Sequence, residues 1–284
     1  MKILRTLDEV HAWRAEVEAA GRRVAFVPTM GYLHDGHLSL IREGRRRNPD
    51  GPVLLSIFVN PTQFAAGEDL DVYPRDEAGD LAKAESAGAD VAFCPLDPAV
   101  MYGEGAPVWV QVEGLESELC GRSRPTHFRG VCTVVSKLLN LVRPHWSIFG
   151  QKDYQQLAII RRMHAELFLP GEIVGMPIVR EADGLAMSSR NAYLSAEERG
   201  KALALSAFLD TVEARFSAGE REVAALLEGA TDALSVGEID YVELVDAATL
   251  RPLEASAQVD AAAVLALAVR FEGARLIDNR HFSP

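Results

Sequence analysis

Apolar runs of four to eight residues alternate along the first two thirds of the chain with stretches whose apolar positions recur every three or four residues. Val10, Trp13 and Val17 predict a helix over 8–20, with Gly21 as a plausible stop. Val24-Ala-Phe-Val27 reads as a strand that breaks at Pro28 into a turn with Gly31, and a helix with Leu38, Leu40 and Ile41 follows over about 36–46. Pro52 to Val59 is nearly all apolar, as a strand covered on both faces should be. The pattern then predicts a helix over 76–87, a strand over 90–94 and a short β-like piece from Val108 to Val112. A helix over 130–142, a strand over 145–149, a helix over 154–168 and a strand from Glu172 to Val179 complete the series. Such alternation predicts an α/β fold with a doubly wound parallel sheet.

Beyond Val179 the texture changes. Residues 196–234 carry an alanine- and glutamate-rich helical pattern, while Ile239–Val245, Val264–Phe271 and Arg275–Asn279 read as strands. The expected organisation is therefore a nucleotide-binding domain over 1–178 and a smaller α+β domain over 179–284.

Composition adds bounds. The 284 residues are 48% hydrophobic and 25% charged, with a formal net charge of −12, an ordinary globular balance. An acidic chain argues against broad nucleic-acid or anionic-membrane binding. Arg42, Arg45, Arg46 and Arg47 do cluster, but near the end of a predicted helix, where cations complement the dipole. Three cysteines without a Cys-x-x-Cys pair fit a reducing compartment. The first ten residues carry charges where a signal peptide needs an apolar core, and the longest clean apolar run, Ala261–Val269, is too short to span a bilayer. The expected location is the cytoplasm.

Candidate chemistry falls at predicted strand ends, where open α/β sheets bind ligands. After the strand at 24–27, a glycine-bearing turn leads into a helix start, whose free N–H groups and dipole favour an anion. His34 and His37 stand there three residues apart, on one helical face. A metal site is poorly supported at that spacing, because no third ligand follows nearby. Past the next strand lie the carboxamides Asn60 and Gln63, which both donate and accept. Past the strand at 145–149, Gly150 permits close backbone approach, Lys152 offers a point charge for phosphate and Asp153 an acceptor for ribose hydroxyls. Arg180 to Asn191 contains Ser188, Ser189 and Arg190 in a glycine-preceded loop suited to closing over phosphates.

Met30-Gly-Tyr-Leu-His-Asp-Gly-His37 resembles the His-x-Gly-His motif of the adenylate-forming Rossmann-like superfamily. Met187-Ser-Ser-Arg190 resembles that superfamily's mobile Lys-Met-Ser-Lys-Ser loop. Val59-Asn-Pro-Thr-Gln-Phe64, Phe149-Gly-Gln-Lys-Asp-Tyr-Gln-Gln156 and Arg124-Pro-Thr-His-Phe128 are more specific, and together the segments resemble the pantoate–β-alanine ligase family in order over 24–195. The resemblance implies a Rossmann-like first domain and ATP-dependent condensation of (R)-pantoate with β-alanine through pantoyl adenylate, with Mg²⁺, in a homodimer. It assigns ATP to Met30, Gly31, Tyr32, Leu33, His34, Asp35, Gly36, His37, Gly150, Gln151, Lys152, Asp153, Val179, Met187, Ser188, Ser189 and Arg190. It assigns the acid substrate to Asn60, Gln63 and Gln156, and catalysis to His34, His37, Lys152, Ser188, Ser189 and Arg190, with His37 often labelled proton donor. The metal ligands are left unknown.

Three positions depart from the family pattern. Gln151 replaces a frequent glutamate and removes a charge near the phosphates. Thr126 replaces glycine, which suggests that this backbone position needs no positive φ. Cys120 stands where some relatives are acidic. Two other readings remain: a nucleotidyltransferase that stops after moving a nucleotidyl group, and a non-catalytic nucleotide sensor. A tRNA synthetase fits neither the length nor the charge.

Overall fold

The computed structural model describes residues 1–103 and 108–284. Contacts divide the chain into two units, Met1–Gln151 with Gln156–Pro177, and Lys152–Gln155 with Ile178–Pro284. The first unit runs to Pro177, and the four residues after Gln151 belong to the second.

In the first unit, β1 (Lys2–Leu4), β2 (Ala25–Thr29), β3 (Val53–Ile57), β4 (Val91–Phe93), β5 (Trp146–Gly150) and β6 (Glu172–Met176) form a parallel sheet in the order β1-β4-β3-β2-β5-β6. The helices described there are α1 (Leu7–Ala19), α2 (Asp35–Arg47), α3 (Glu77–Ala87), α4 (Pro98–Tyr102), α5 (Cys120–Ser123), α6 (His127–Val142) and α7 (Tyr154–Glu166), whose first two residues fall in the second unit. The apolar side of α2, including Leu38, Leu40 and Ile41, packs with Ala25, Val27, Val53, Leu55, Ile148 and Val174 from the central strands. This is the α/β, doubly wound arrangement the alternation predicts.

Strand order reverses between β2 and β5, and that is where such sheets bind ligands. Here β2 pairs with β5 only at Ala25–Trp146 and Phe26–Ser147, although β2 runs to Thr29 and β5 to Gly150. The expected break at Pro28 is therefore wrong in place, because Pro28 lies inside the strand, opposite Ser56 of β3. The Ala25 N–H donates to Pro52 of the β3 side. Backbone groups alternate in direction along a strand, so Pro28 turns its missing N–H toward β5. It costs no ladder bond because pairing on that side has already stopped. The proline tolerates the gap between β2 and β5 rather than ending the strand.

Other boundaries shift for local reasons. β1 carries no expected element, because three residues are too few for a pattern. Val108–Val112 is not a strand; instead the Val110 N–H donates to the Thr133 hydroxyl of α6 at 3.0 Å. β6 stops at Met176, before Pro177, rather than at Val179. Thr126 has φ −103°, consistent with the reading that no positive φ is needed there.

The second unit carries α8 (Ala196–Ser217), α9 (Val223–Leu226) and α10 (Ala230–Leu234), with an antiparallel sheet β7 (Glu238–Asp246), β8 (Ala263–Arg270) and β9 (Arg275–Phe282) in that order. The single helical span expected over 196–234 is broken at Gly219 and Gly229, both at positive φ (102° and 78°), which only glycine adopts without strain. Its core joins Leu205, Phe208, Leu209 and Val212 of α8 to Leu244, Leu265, Leu267 and Val269 of the sheet.

Candidate active site

The β2–α2 connection carries the first group of candidate residues. Gly31 has φ +86° and Tyr32 +52°, two successive left-handed residues that turn the chain sharply. Asp80 of α3 holds this turn, accepting the N–H groups of Tyr32 at 2.7 Å and Leu33 at 2.6 Å. A Cβ on Gly31 would stand 3.0 Å from the Asp80 carboxylate and from the Ile57 side chain, so glycine is required by space as well as by φ. Burial pushes the Asp80 carboxyl above its usual range, and its two N–H donors oppose that rise. Lys83, one turn on, donates to the Leu33 carbonyl at 3.0 Å. Sequence reasoning missed Asp80. Its signal was an acid on the buried stripe of a helix, in line with Ala84 and Ala87.

His34 is the N-cap of α2. Its Nδ1 accepts the Gly36 N–H at 3.1 Å, and the His34 N–H in turn faces His37 Nδ1 at 3.4 Å. A ring nitrogen that accepts cannot carry the proton, so both neutral imidazoles hold it on Nε2. The rings lie 4.1 Å apart, tilted by 37°. Two Nε2–H donors at one helix N-terminus make a site for an anion. Asp35 is exposed, and Met30, Gly36 and His37 are half-buried around the same turn.

Beyond β3, Pro61–Gln63 is a single 3-10 turn. Asn60 is 1% exposed and its carboxamide is fully used. Nδ2 donates to Gln63 Oε1 at 3.0 Å and to the Gly130 carbonyl at 3.2 Å, while Oδ1 faces the hydroxyls of Thr62 and Tyr102. Among the described residues, Gln63 Nε2 meets only the thioether of Met30, at 3.2 Å. The Gln63 carbonyl accepts from His127 at 2.8 Å and from Arg124 at 3.4 Å, and Arg124 also grips Glu68 through two bonds of 2.7 and 2.8 Å. That fork holds the Glu68 carboxyl below its ordinary value, against the burial that raises it. Gly130 lets α6 touch this turn, since a Cβ there would come within 2.4 Å of the Thr62 carbonyl. Arg124 thus braces the turn that carries Gln63.

Gly150 ends β5, Gln151 opens the 3-10 turn Gln151–Asp153, and Gln156 lies half-buried in the first turns of α7. In the second unit, Lys152 is half-buried and its carbonyl accepts from Asn279 of β9 at 2.8 Å, while Asp153 is exposed. The Val179 carbonyl accepts from Met187 at 3.0 Å, Arg180 bridges Ala186, and Gly184 turns at φ +95° between them. Arg180 is fixed to the buried Asp278 by two bonds of 2.7 and 3.0 Å. Ser188 caps the 3-10 turn Ser189–Tyr193, accepting from the Arg190 N–H, and Ser189 is 8% exposed. The stem of the Met187–Arg190 loop is therefore built rather than loose.

The remaining candidates are structural. Arg45 binds the carbonyls of Gly88, Asn48, Pro49 and Gly51 and pairs with Asp90, and Arg46 and Arg47 flank Glu43, whose carboxyl their hydrogen bonds and charges hold down at about 2. Cys94, Cys120 and Cys132 are buried, and burial pushes Cys94 and Cys132 up to about 12, where neither is a nucleophile at neutral pH. Among the described residues no cluster of three or more His, Cys, Asp or Glu side chains could hold a metal ion, and no helix is long and apolar enough to cross a membrane.

Residues 2–281 match the family model described as pantoate-beta-alanine ligase. The pantothenate synthetase of Anaeromyxobacter dehalogenans is 53% identical over 288 residues, covering 98% of this chain and 99% of that protein, and that of Myxococcus xanthus is 54% identical, covering 98% and 94%. The crystal structure of pantothenate synthetase from Thermus thermophilus superposes with a TM-score of 0.92 at 46% identity, covering 100% of both chains. That of the Francisella tularensis pantoate-beta-alanine ligase, complexed with beta-gamma ATP and beta-alanine, superposes with a TM-score of 0.81 at 31% identity, covering 99% and 97%. With two imidazole donors at the switch point of a doubly wound sheet and relatives matched end to end, the chain belongs to the pantoate–β-alanine ligase (pantothenate synthetase) family.

Proposed function

We propose that the chain joins (R)-pantoate to β-alanine in two steps on one ATP. In the first, a pantoate carboxylate oxygen attacks the α-phosphorus and the bond to the β-phosphate breaks, releasing diphosphate and leaving pantoyl adenylate. In the second, the β-alanine amine attacks the acyl carbon, loses a proton, and AMP departs with the acyl C–O bonding pair.

The obstacle in the first step is the approach of a carboxylate to an already anionic phosphate. His34 and His37 answer it with Nε2–H donors at the start of α2, on rings held in place through their Nδ1 atoms. Lys152, Ser188, Ser189 and Arg190 are assigned the same task toward the rest of the triphosphate. The loop Met30–His37, Gly150–Asp153, Val179 and Met187 are assigned to ATP. Gln63 and Gln156 hold the acid in line, a proximity effect. Asn60, whose amide is fully used within the protein, serves the acid through Gln63.

Magnesium fits as an ion carried by the nucleotide, because this ion keeps waters and takes phosphate oxygens rather than a protein cage. When bound it neutralises charge on the departing diphosphate. The same reading implies a homodimer working in the cytoplasm.

The observation that carries the proposal is the pair of imidazole donors at the switch point, within the same unit as a carboxamide whose N–H end rests on a thioether. Exchange of labelled diphosphate into ATP tests it. Exchange should require pantoate and proceed without β-alanine. Exchange independent of pantoate would indicate a nucleotidyltransferase, and none at all a nucleotide sensor.

A further inference from the structure

A carboxamide can be turned end for end at almost no cost in shape, and only its hydrogen bonds decide which end a ligand meets. At Gln63 that decision is made by a chain of contacts. The Gly130 carbonyl can only accept, so the Asn60 Nδ2 must face it, and the second Nδ2 proton then falls on Gln63 Oε1. With its oxygen taken, Gln63 can present only Nε2. That group rests on the Met30 sulfur, an acceptor weak enough to give way to a substrate oxygen.

The other end of the chain is Tyr102, the last residue of α4. Its hydroxyl donates to Asn60 Oδ1 at 2.5 Å and stands 3.0 Å from the Thr62 hydroxyl, which itself lies 3.0 Å from the same Oδ1. The ring is fixed independently of these bonds. Lys137 of α6 places its ammonium 4.6 Å from the ring centroid while donating to the Met101 carbonyl at 2.7 Å. A tyrosine so anchored, whose hydroxyl is spent on an amide buried in the protein, has a reason to be there other than packing.

We propose that Tyr102 is a positioning residue for the acid substrate: by donating to Asn60 it locks the Gln63 carboxamide with its N–H end outward, selecting an anionic or hydroxyl oxygen as the ligand. Without that donor, Asn60 Oδ1 keeps only Thr62. The Gly130 carbonyl is then left as the main contact opposing inversion of the Asn60–Gln63 pair, and an inverted Gln63 would set its carbonyl oxygen against the carboxylate.

The inference rests on the reading that Gln63 binds pantoate, and its test keeps the two apart. Tyr102→Phe removes one oxygen and leaves the ring. The expected result is a rise of about 5–10-fold in the pantoate KM, as for one lost hydrogen bond. The ATP KM and the thermal midpoint should stay near those of the unmodified protein. Thr62→Val, which removes the second donor to Asn60, should move the pantoate KM the same way. In a Gln63→Ala background, Tyr102→Phe should leave the pantoate Kd, measured by calorimetry, within about 2-fold, since its effect passes through Gln63. An unchanged pantoate KM in Tyr102→Phe would overturn the inference. So would equal rises for all three substrates with a lowered midpoint, or a full additional loss in the Gln63→Ala background. If the unmodified protein neither binds pantoate nor exchanges diphosphate in its presence, the ligase reading itself fails.

Discussion

A histidine at a helix N-cap must offer the backbone a bare ring nitrogen, and this requirement fixes the chemistry of the α2 imidazoles. Asparagine caps a helix as well as any residue but has no group where His34 Nε2 stands. His34→Asn should therefore keep the melting temperature within a few degrees while slowing pantoate-dependent diphosphate exchange by about 10²–10³-fold, the usual loss for one pre-aimed donor. His37→Ala should slow exchange to a similar extent, with the far-ultraviolet circular dichroism unchanged. Asp80 makes a different prediction. Its two oxygens both accept N–H groups, so Asp80→Asn must turn an NH₂ against a backbone donor. That should destabilise the protein by about 1–3 kcal/mol and raise the ATP KM. The pH dependence has opposite signs for stability and binding. Burial raises the folded Asp80 carboxyl, so its contribution to stability is present on the acid side and is lost as pH rises through the folded value. Protonation, however, turns one acceptor into a donor facing the Tyr32–Leu33 turn. The ATP KM should therefore rise on the acid side, starting above the ordinary aspartate range, and in Asp80→Asn that limb should be missing.

Among the elements, α6 and the Pro61–Gln63 turn meet at a very close approach. Gly130→Ala drives a methyl into the Thr62 carbonyl, so helix and turn must separate. A cost of about 1–3 kcal/mol in denaturant unfolding is expected, together with a pantoate KM raised more than that of ATP. This contact also marks how far the sequence could be read. Alternating apolar periods gave the sheet and most helices, because each is fixed by burial of its own residues, and the strand-end rule then grouped His34, His37, Asn60 and Gln63. What escaped were relations between distant segments. Nothing near Asp80 announces that it caps a turn 48 residues earlier, and Tyr102 lies 42 residues from the amide it serves. Pro28 misled because a proline looks like a strand end until pairing on one side is known to have stopped. Arg124 was legible only as a motif position, and its pairing with Glu68 shows it bracing Gln63.

For the whole molecule, a net charge of −12 repels anionic substrates at long range, so binding has to come from local donors held in fixed directions. The two units supply them on separate apolar cores, one under the central strands and α2, the other between α8 and the antiparallel sheet. In the second unit the strand-like stem that leads to Ser188 combines backbone bonds with one deeply placed ion pair. Arg180 reaches Asp278, whose side chain is 2% exposed. Removing the carboxylate leaves a guanidinium in a partly buried place without its bonded counter-charge, which for such pairs costs about 3–5 kcal/mol. Asp278→Ala should speed hydrogen–deuterium exchange across residues 179–191 and slow adenylation, because the Met187–Arg190 segment loses the anchor of its stem. Amides of β2, β3 and β5 belong to the other core, and their protection should change little. Uniform loss of protection through both cores would instead mean that Asp278 supports the molecule as a whole and that the loop has no anchor of its own.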